Sequence, residues 1–203
     1  IIMSSANITA MYKLATPDEV KSGLDWYANA HTEALTIANR FEIPLTTVVG
    51  VIAALSPNNK WERNITNASD LIAAYLDGEA VESVKVSTYH TMRNKAWSIL
   101  GDQLQCSSEI LTRLNGQEIK SFYECIMGFE WGICIDGHAL NIWRNERYAL
   151  TSDKTNIGKR LYAEIQADYL EAGNATIFHG RPLTAYEMQA ITWTVWRRVH
   201  GIT

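Results

Sequence analysis

Two ionisable side chains near the middle of the chain are suited to cutting a glycosidic bond. Lys120 lies in a helical pattern that follows a short turn at 115–117, and Asp136 comes directly after the apolar run 133–135. A carboxylate stabilises the oxocarbenium-like charge that develops on the sugar as the bond breaks, and an amine can attack the sugar carbon C1′ to form a Schiff base. The stretch 114–143 therefore predicts a pocket in which both groups act on one glycosidic bond.

Each of these residues also has a structural interpretation. Aspartate is a preferred N-cap, and Asp136 precedes a second helical pattern, so it could be an N-cap, a catalyst or both. Lys120 could instead be a solvated helix lysine or pair with a phosphate. His138 could be a proton partner of Asp136 or a hydrogen-bonded structural histidine.

The elements that position these groups are helices. The capping box Thr16-Pro17-Asp18-Glu19 begins one long helix that the apolar spacing extends to about Arg40. The segment after Pro44 is apolar on nearly every side, which predicts a central buried helix. A second capping box, Thr184 with Glu187, begins the last helix. Further helices are predicted at 61–76, 85–100, from 107 or 108 through 114, from 137 to about 144, and at 158–172.

The remaining segments are short. Strand-like patterns occur near 133–135 and at 176–178, a polar loop covers 151–156, and Gly173-Asn174 is a helix stop signal. No repeat or linker interrupts the chain. The fold class predicted is therefore all-α.

Composition limits the function classes. The 203 residues are 47% hydrophobic and 20% charged, which is typical of one domain, or of two lobes folded as a unit, with a sizeable core. No apolar run approaches the ~20 residues of a membrane span. The three cysteines form no CxxC motif, so neither a zinc nor an iron–sulfur site is predicted, and buried reduced thiols fit a cytosol-like compartment. The net charge of −4 argues against a protein that coats nucleic acid but allows a local basic face.

Four segments, taken together and in order, carry a family resemblance. They are Leu55-Ser56-Pro57-Asn58, Asn94-Lys95-Ala96, Leu114-Asn115-Gly116 with Lys120, and Ile135-Asp136-Gly137-His138. Over roughly residues 45–145 the chain resembles the helix-hairpin-helix DNA glycosylases, the superfamily that contains endonuclease III and the 8-oxoguanine glycosylases. It has Asn115 for the usual hairpin proline, Glu118 for the second glycine, and Asn58 where the family often has glutamine.

The resemblance implies a fold and a set of roles. The fold would be one glycosylase-like unit over 1–203, with a cleft between a lobe of 45–128, which contains the hairpin near 114–120, and a lobe of 1–44 with 129–203. Asp136 would stabilise the sugar cation, and Lys120 matches the nucleophilic lysine of bifunctional members. Asn58 would fill the gap left by a flipped base, or be a turn residue. The other implied DNA contacts are Asn59, Lys60, Arg63, Asn115, Gly116, Gln117 and His138.

Three functions follow from this resemblance. The first is a DNA glycosylase, with or without lyase activity, that acts on double-stranded DNA as a monomer without a cofactor or metal, in the cytoplasm or at the nucleoid. The second is a base-hypermodification enzyme on the same scaffold, and the third is a non-catalytic DNA-binding or inhibitory protein. Formation of an abasic product distinguishes the first from the other two.

Overall fold

The architecture is helical, as predicted. The computed structural model describes residues 4–150, 152 and 156–202, so part of the polar loop predicted at 151–156 lies outside the described residues. Within them the chain forms ten α-helices, one 3₁₀ turn at Val81–Ser83 and one short antiparallel hairpin. The helices are α1 Ser5–Tyr12, α2 Pro17–Phe41, α3 Leu45–Ala54, α4 Trp61–Leu76, α5 His90–Gly101, α6 Ser107–Arg113, α7 Gln117–Met127, α8 Gly137–Arg144, α9 Lys159–Asn174 and α10 Ala185–Val199, and the strands are β1 Ile177–Phe178 and β2 Arg181–Pro182.

Contacts along the chain divide it into two compact units. The first unit comprises the described residues of Ile1–Ala28 and Gly128–Thr203, and the second unit is Asn29–Met127. The division falls inside α2, because the first half of this long helix packs with the first unit and its second half with the second. The sequence placed the first boundary between residues 44 and 45, whereas the structure places it between Ala28 and Asn29. That the two lobes form one glycosylase-like unit stays a prediction.

The core of the second unit is α3. Every residue from Thr47 to Ala54 is buried, and α3 packs against α4, α5, α6 and α7. A helix that is apolar on all sides must be surrounded by other elements, which is why the central position predicted from sequence is confirmed. Gly50 allows the closest approach, since a Cβ there would lie 2.8 Å from the Ile110 side chain.

The core of the first unit forms between α1, α8, α9 and α10. Its buried side chains include Ile135, Tyr169, Ile191 and Trp196. The start of α2 also packs on α10, and the two helices approach so closely that a Cβ on Gly23 would lie 2.6 Å from the Ile191 Cα.

Both predicted capping boxes are present. Thr16 Oγ1 accepts the Glu19 N–H at 3.2 Å, and Glu19 Oε1 accepts the Thr16 N–H at 3.0 Å. The same reciprocal pair joins Thr184 and Glu187. Each carboxylate also binds an arginine, Glu19 with Arg198 and Glu187 with Arg181, so the helix starts are tied to tertiary contacts as well as capped.

The helix predicted from residue 85 begins only at His90. The preceding segment is irregular, with a bend at Ser87 and Thr88, and is held by α4 and its flanking turn. The Ser87 N–H donates to Asn67 Oδ1 at 2.9 Å, and Thr88 Oγ1 donates to the Pro57 carbonyl. The Ser87 N–H is therefore paired with a side chain of α4 and not with a carbonyl of a preceding helical turn. The helix predicted over 85–89 was wrong.

The stop predicted at Gly173-Asn174 is confirmed, since α9 ends at Asn174. Gly173 is not in the left-handed conformation of a helix cap, and its missing Cβ leaves room for the Leu183 carbonyl oxygen, 2.7 Å from the Cβ position. One further local prediction was wrong. No strand forms at 133–135, since Tyr162 supplies the hydrogen bonds that a neighbouring strand would give. The hairpin strand at 177–178 does lie where sequence placed it.

No single helix among the described residues is both long and apolar enough to cross a bilayer.

Candidate active site

Asp136 is the N-cap of α8. Its Oδ1 accepts the Ala139 N–H at 2.8 Å, and its backbone is extended, as an N-cap requires. The cap holds the side chain in one orientation at the positive end of the helix dipole. The structural interpretation of this aspartate is therefore confirmed, and its role as a catalyst stays a prediction.

The carboxyl of Asp136 is in a desolvated environment. The residue is half-buried, and burial raises its pKa above the ordinary value of an aspartate, against the opposing effects of the Ala139 N–H and of the charge on His138. The buried phenol of Tyr169 lies nearby: its pKa is raised by burial and then by the charge of Asp136. A carboxylate in such surroundings interacts more strongly with a cation than one in water.

Two tyrosines of α9 fix the backbone on either side of Asp136. The Tyr162 hydroxyl donates to the Ile133 carbonyl at 2.6 Å and accepts the Ile135 N–H at 2.9 Å. The Tyr169 hydroxyl donates to the Ala139 carbonyl at 3.0 Å, one turn into α8. Both sides of Asp136 are thus attached to α9.

Sequence reasoning missed these tyrosines. Tyr162, Ile165 and Tyr169 are all buried on α9, and their spacing of three and four residues places them on one helical face. Two tyrosines on an otherwise apolar face need buried hydrogen-bond partners, and that requirement was the signal that could have found them.

Tyr162→Phe tests this clamp. We expect a loss of about 1–3 kcal/mol in the free energy of unfolding, because the Ile133 carbonyl and the Ile135 N–H lose their buried partner. Chemical denaturation of the two proteins measures it. Tyr12→Phe, a change at a half-buried tyrosine of α1, is the control, and equal stability of Tyr162→Phe and wild type would contradict the clamp.

His138 lies on the first turn of α8 with part of its ring buried. Its Nδ1 is buried and has no hydrogen-bond partner among the described residues. The ring meets the edge of Trp193 from α10, with ring centroids 6.4 Å apart. An unsatisfied buried nitrogen is costly, and this one is also shielded from solvent.

Lys120 belongs to the second unit, on α7. It is half-buried, and its backbone N–H donates to the Gly116 carbonyl at 3.1 Å. Asp136 belongs to the first unit, so the pocket that Lys120 and Asp136 would share stays a prediction.

The connection between α6 and α7 presents an open turn. Asn115, Gly116 and Gln117 are exposed, and Gly116 has φ +92°, a conformation that favours glycine. Apart from its two neighbours in the chain, no described residue has an atom within 4 Å of where its Cβ would be. Glycine is therefore required here by backbone conformation, and the space beside it is free for an approaching molecule.

The turn before α4 combines a structural asparagine with exposed cations. Asn59 Nδ2 donates to the Leu55 carbonyl and to Asn67 Oδ1, at 3.0 and 3.1 Å. Asn58 is exposed in the left-handed region at φ +51°. Lys60 and Arg63 are exposed, and within the described part of the chain neither forms an ion pair.

One ring contact joins the start of α4 to the helix of Lys120 within the second unit. The Trp61 ring, at the start of α4, meets Phe122 of α7 edge-on with centroids 6.1 Å apart. Trp61 Nε1 also donates to Glu33 at 2.6 Å. The structure therefore brings the candidate contacts of the turn near α7.

No group of three or more His, Cys, Asp or Glu side chains among the described residues is arranged to hold a metal ion.

Comparison with curated proteins found no match, and comparison with solved structures found none either. A family model matches residues 3–200, almost the whole chain. The chain therefore belongs to DUF7178, a family of unknown function.

Proposed function

We propose that this protein is a DNA N-glycosylase that releases a modified or damaged base flipped out of the double helix. The observation that carries the proposal is the Asp136 carboxyl, which is oriented by its capping bond to Ala139 and desolvated by its surroundings. The four-segment resemblance to the helix-hairpin-helix glycosylases supports it.

In the hydrolytic reaction the C1′–N bond breaks and its electron pair leaves with the base, which takes up a proton. Positive charge spreads over C1′ and the ring oxygen of the sugar, and the Asp136 carboxylate stabilises it. Water then attacks C1′ and gives a proton to the carboxylate. A fixed anion in a low-dielectric site suits these steps, because its interaction with the sugar is strongest once the sugar is positive.

In the lyase variant the Lys120 amine replaces the water. Its lone pair attacks C1′, the base leaves, and ring opening gives a Schiff base between Nζ and C1′. Loss of a proton from C2′ then allows elimination of the 3′ phosphate and cleavage of the strand. The half-buried position of Lys120 on α7 is compatible with this role or with a phosphate contact.

The second unit supplies groups suited to the DNA backbone. Lys60 and Arg63 are exposed cations at the start of α4, and the turn around Gly116 is open to an incoming chain. Phosphate contacts of this kind orient an enzyme on DNA without selecting sequence. Asn58, exposed beside them, is the residue we assign to the gap left by the flipped base.

Borohydride trapping on duplexes that carry varied lesions tests the proposal and the part played by Lys120. We expect wild type to release a base and, if Lys120 is the nucleophile, to form a covalent adduct that Lys120→Ala does not form, since borohydride reduces only a Schiff base. Gel mobility of the labelled strand measures the adduct, and heating in alkali reveals abasic sites.

Lys95→Ala, which removes a half-buried lysine from α5, is the matched control. An adduct that persists in Lys120→Ala would exclude it as the nucleophile. Base release without any adduct would indicate hydrolytic chemistry through Asp136 alone. Tight DNA binding with no base release on any lesion would contradict the glycosylase and favour the hypermodification enzyme or the non-catalytic protein.

A further inference from the structure

The last helix of the first unit presents an arginine beside the candidate active site. Arg197 of α10 lies over the ring of Trp193, with its Cζ 4.4 Å from the ring centroid. The same Trp193 ring meets His138, two residues beyond Asp136. Two ring contacts therefore connect the guanidinium to the neighbourhood of the candidate catalytic carboxyl.

The positive charge of Arg197 is not neutralised within the described residues. The adjacent Arg198 pairs with Glu19 at 3.1 Å, whereas Arg197 forms no ion pair there. A second cation lies at the same end of α10, since Arg147 Nη1 donates to the His200 carbonyl at 3.3 Å. Stacking on Trp193 holds the guanidinium plane in place, which reduces the entropy lost when its N–H groups bind a ligand.

The Trp193 ring links Arg197 to α8. Its other ring partner, His138, lies on the first turn of the helix that Asp136 caps. Arginine is the residue best suited to two-point binding of a phosphate. We infer that Arg197, held on Trp193, binds a DNA phosphate next to the nucleotide presented to Asp136, an assignment that rests on the proposed function.

The test is equilibrium binding to a duplex that contains one tetrahydrofuran abasic site, so that base identity does not enter. We expect Arg197→Gln to weaken binding about tenfold at low salt and to reduce the slope of log K against log salt by about one. Arg197→Lys keeps the charge and is expected to keep the slope. Trp193→Leu is expected to weaken binding with the slope unchanged, because the charge remains but is no longer held.

Arg160→Gln is the matched control, since Arg160 is an exposed arginine of the same unit that pairs with Glu164. A methylphosphonate at a phosphate flanking the abasic site locates the contact: it should weaken wild type and leave Arg197→Gln unaffected. If wild type binds the abasic duplex and the salt slopes of Arg197→Gln, Arg160→Gln and wild type are equal, the inference is overturned. The proposed function would not be contradicted by that result. Failure of wild type to bind the abasic duplex at any salt concentration would overturn the proposed function and this assignment with it.

Discussion

Asp136→Asn is expected to lose base release by a factor of about 10²–10³ or more while the folded protein becomes more stable at neutral pH. The amide oxygen of asparagine can still accept the Ala139 N–H, and asparagine is as good an N-cap as aspartate. What disappears is the negative charge. An uncharged amide neither stabilises a sugar cation nor accepts a proton from water, so the chemistry is lost although the local structure is kept.

The gain in stability follows from the direction in which the pKa moves. Burial raises the pKa of Asp136 in the folded state, so the folded protein binds this proton more tightly than the unfolded chain. Stability from this group is therefore fully present below the unfolded pKa, about 3.9, and is lost as pH rises through the raised folded value. Every tenfold difference in proton affinity between the folded and unfolded states corresponds to about 1.4 kcal/mol of stability. Asparagine does not titrate, so the variant does not lose this stability as pH rises.

Two measurements check this prediction. The melting temperature of Asp136→Asn should rise relative to that of wild type as pH increases above the unfolded aspartate pKa. Below that pKa the two proteins should have equal melting temperatures. Single-turnover base release by wild type should fall on the acid side at a pH above the ordinary aspartate value, because protonated Asp136 cannot stabilise the cation.

Asp136→Ala is the matched control, because it removes the cap as well as the charge. It should be less stable than Asp136→Asn by about 1 kcal/mol and equally inactive. Full activity in Asp136→Asn would rule out the catalytic role, and a lower melting temperature at neutral pH would show that the charge is compensated in the folded protein.

Gly23→Ala is expected to destabilise the first unit by about 3 kcal/mol, which lowers its melting temperature by roughly 6–12 °C. A Cβ at this position would lie 2.4 Å from Ile191 Cγ1, 2.6 Å from the Ile191 Cα and 2.7 Å from its backbone nitrogen. A side chain could rotate away, but the backbone atoms of α10 cannot, so α2 and α10 must move apart and lose contacts across a closely packed core.

Gly101→Ala is the control for Gly23→Ala. Gly101 ends α5, and outside its own helix backbone and chain neighbours no atom of the described residues lies within 4 Å of its Cβ position. Alanine favours helix there and restricts the unfolded chain, so no loss and up to about 1 kcal/mol of gain is expected. Denaturation curves of the two variants measure the contrast, and equal effects would show that α2 and α10 are not in close contact at Gly23.

The parts of the fold that sequence predicted correctly are those specified by local chemistry. Glu19 and Glu187 each stand three residues after a threonine, and both capping boxes formed. The apolar segment after Pro44 became the buried α3 because no face of it could remain in water. Asp136 was predicted as an N-cap from its type and from the helical pattern behind it, and its bond to Ala139 confirms this.

The incorrect predictions concern segments whose hydrogen bonds come from distant residues. The Ser87 N–H is paired with Asn67, and Ile133 and Ile135 bind the Tyr162 hydroxyl in place of a strand. The helix stop at Gly173-Asn174 was predicted correctly, but the contact that needs the glycine, with the Leu183 carbonyl, was not. Local propensity amounts to well under 1 kcal/mol per residue, so one buried contact is enough to override it.

By itself, the sequence determined the all-α class, the two capped helix starts at Thr16 and Thr184, and the aspartate at the head of α8, because these depend on residues within a few positions of one another. The tertiary structure alone decided the surroundings of that aspartate: the two tyrosines of α9 that hold its segment, and the Trp193 ring that brings Arg197 towards His138. The contacts made by Tyr162, Tyr169 and His138 join residues more than twenty positions apart, whereas Arg197 lies one turn beyond Trp193 on the same helix. The contacts between helices form only when the helices pack. The same packing removes water from the Asp136 carboxyl and thereby raises its pKa.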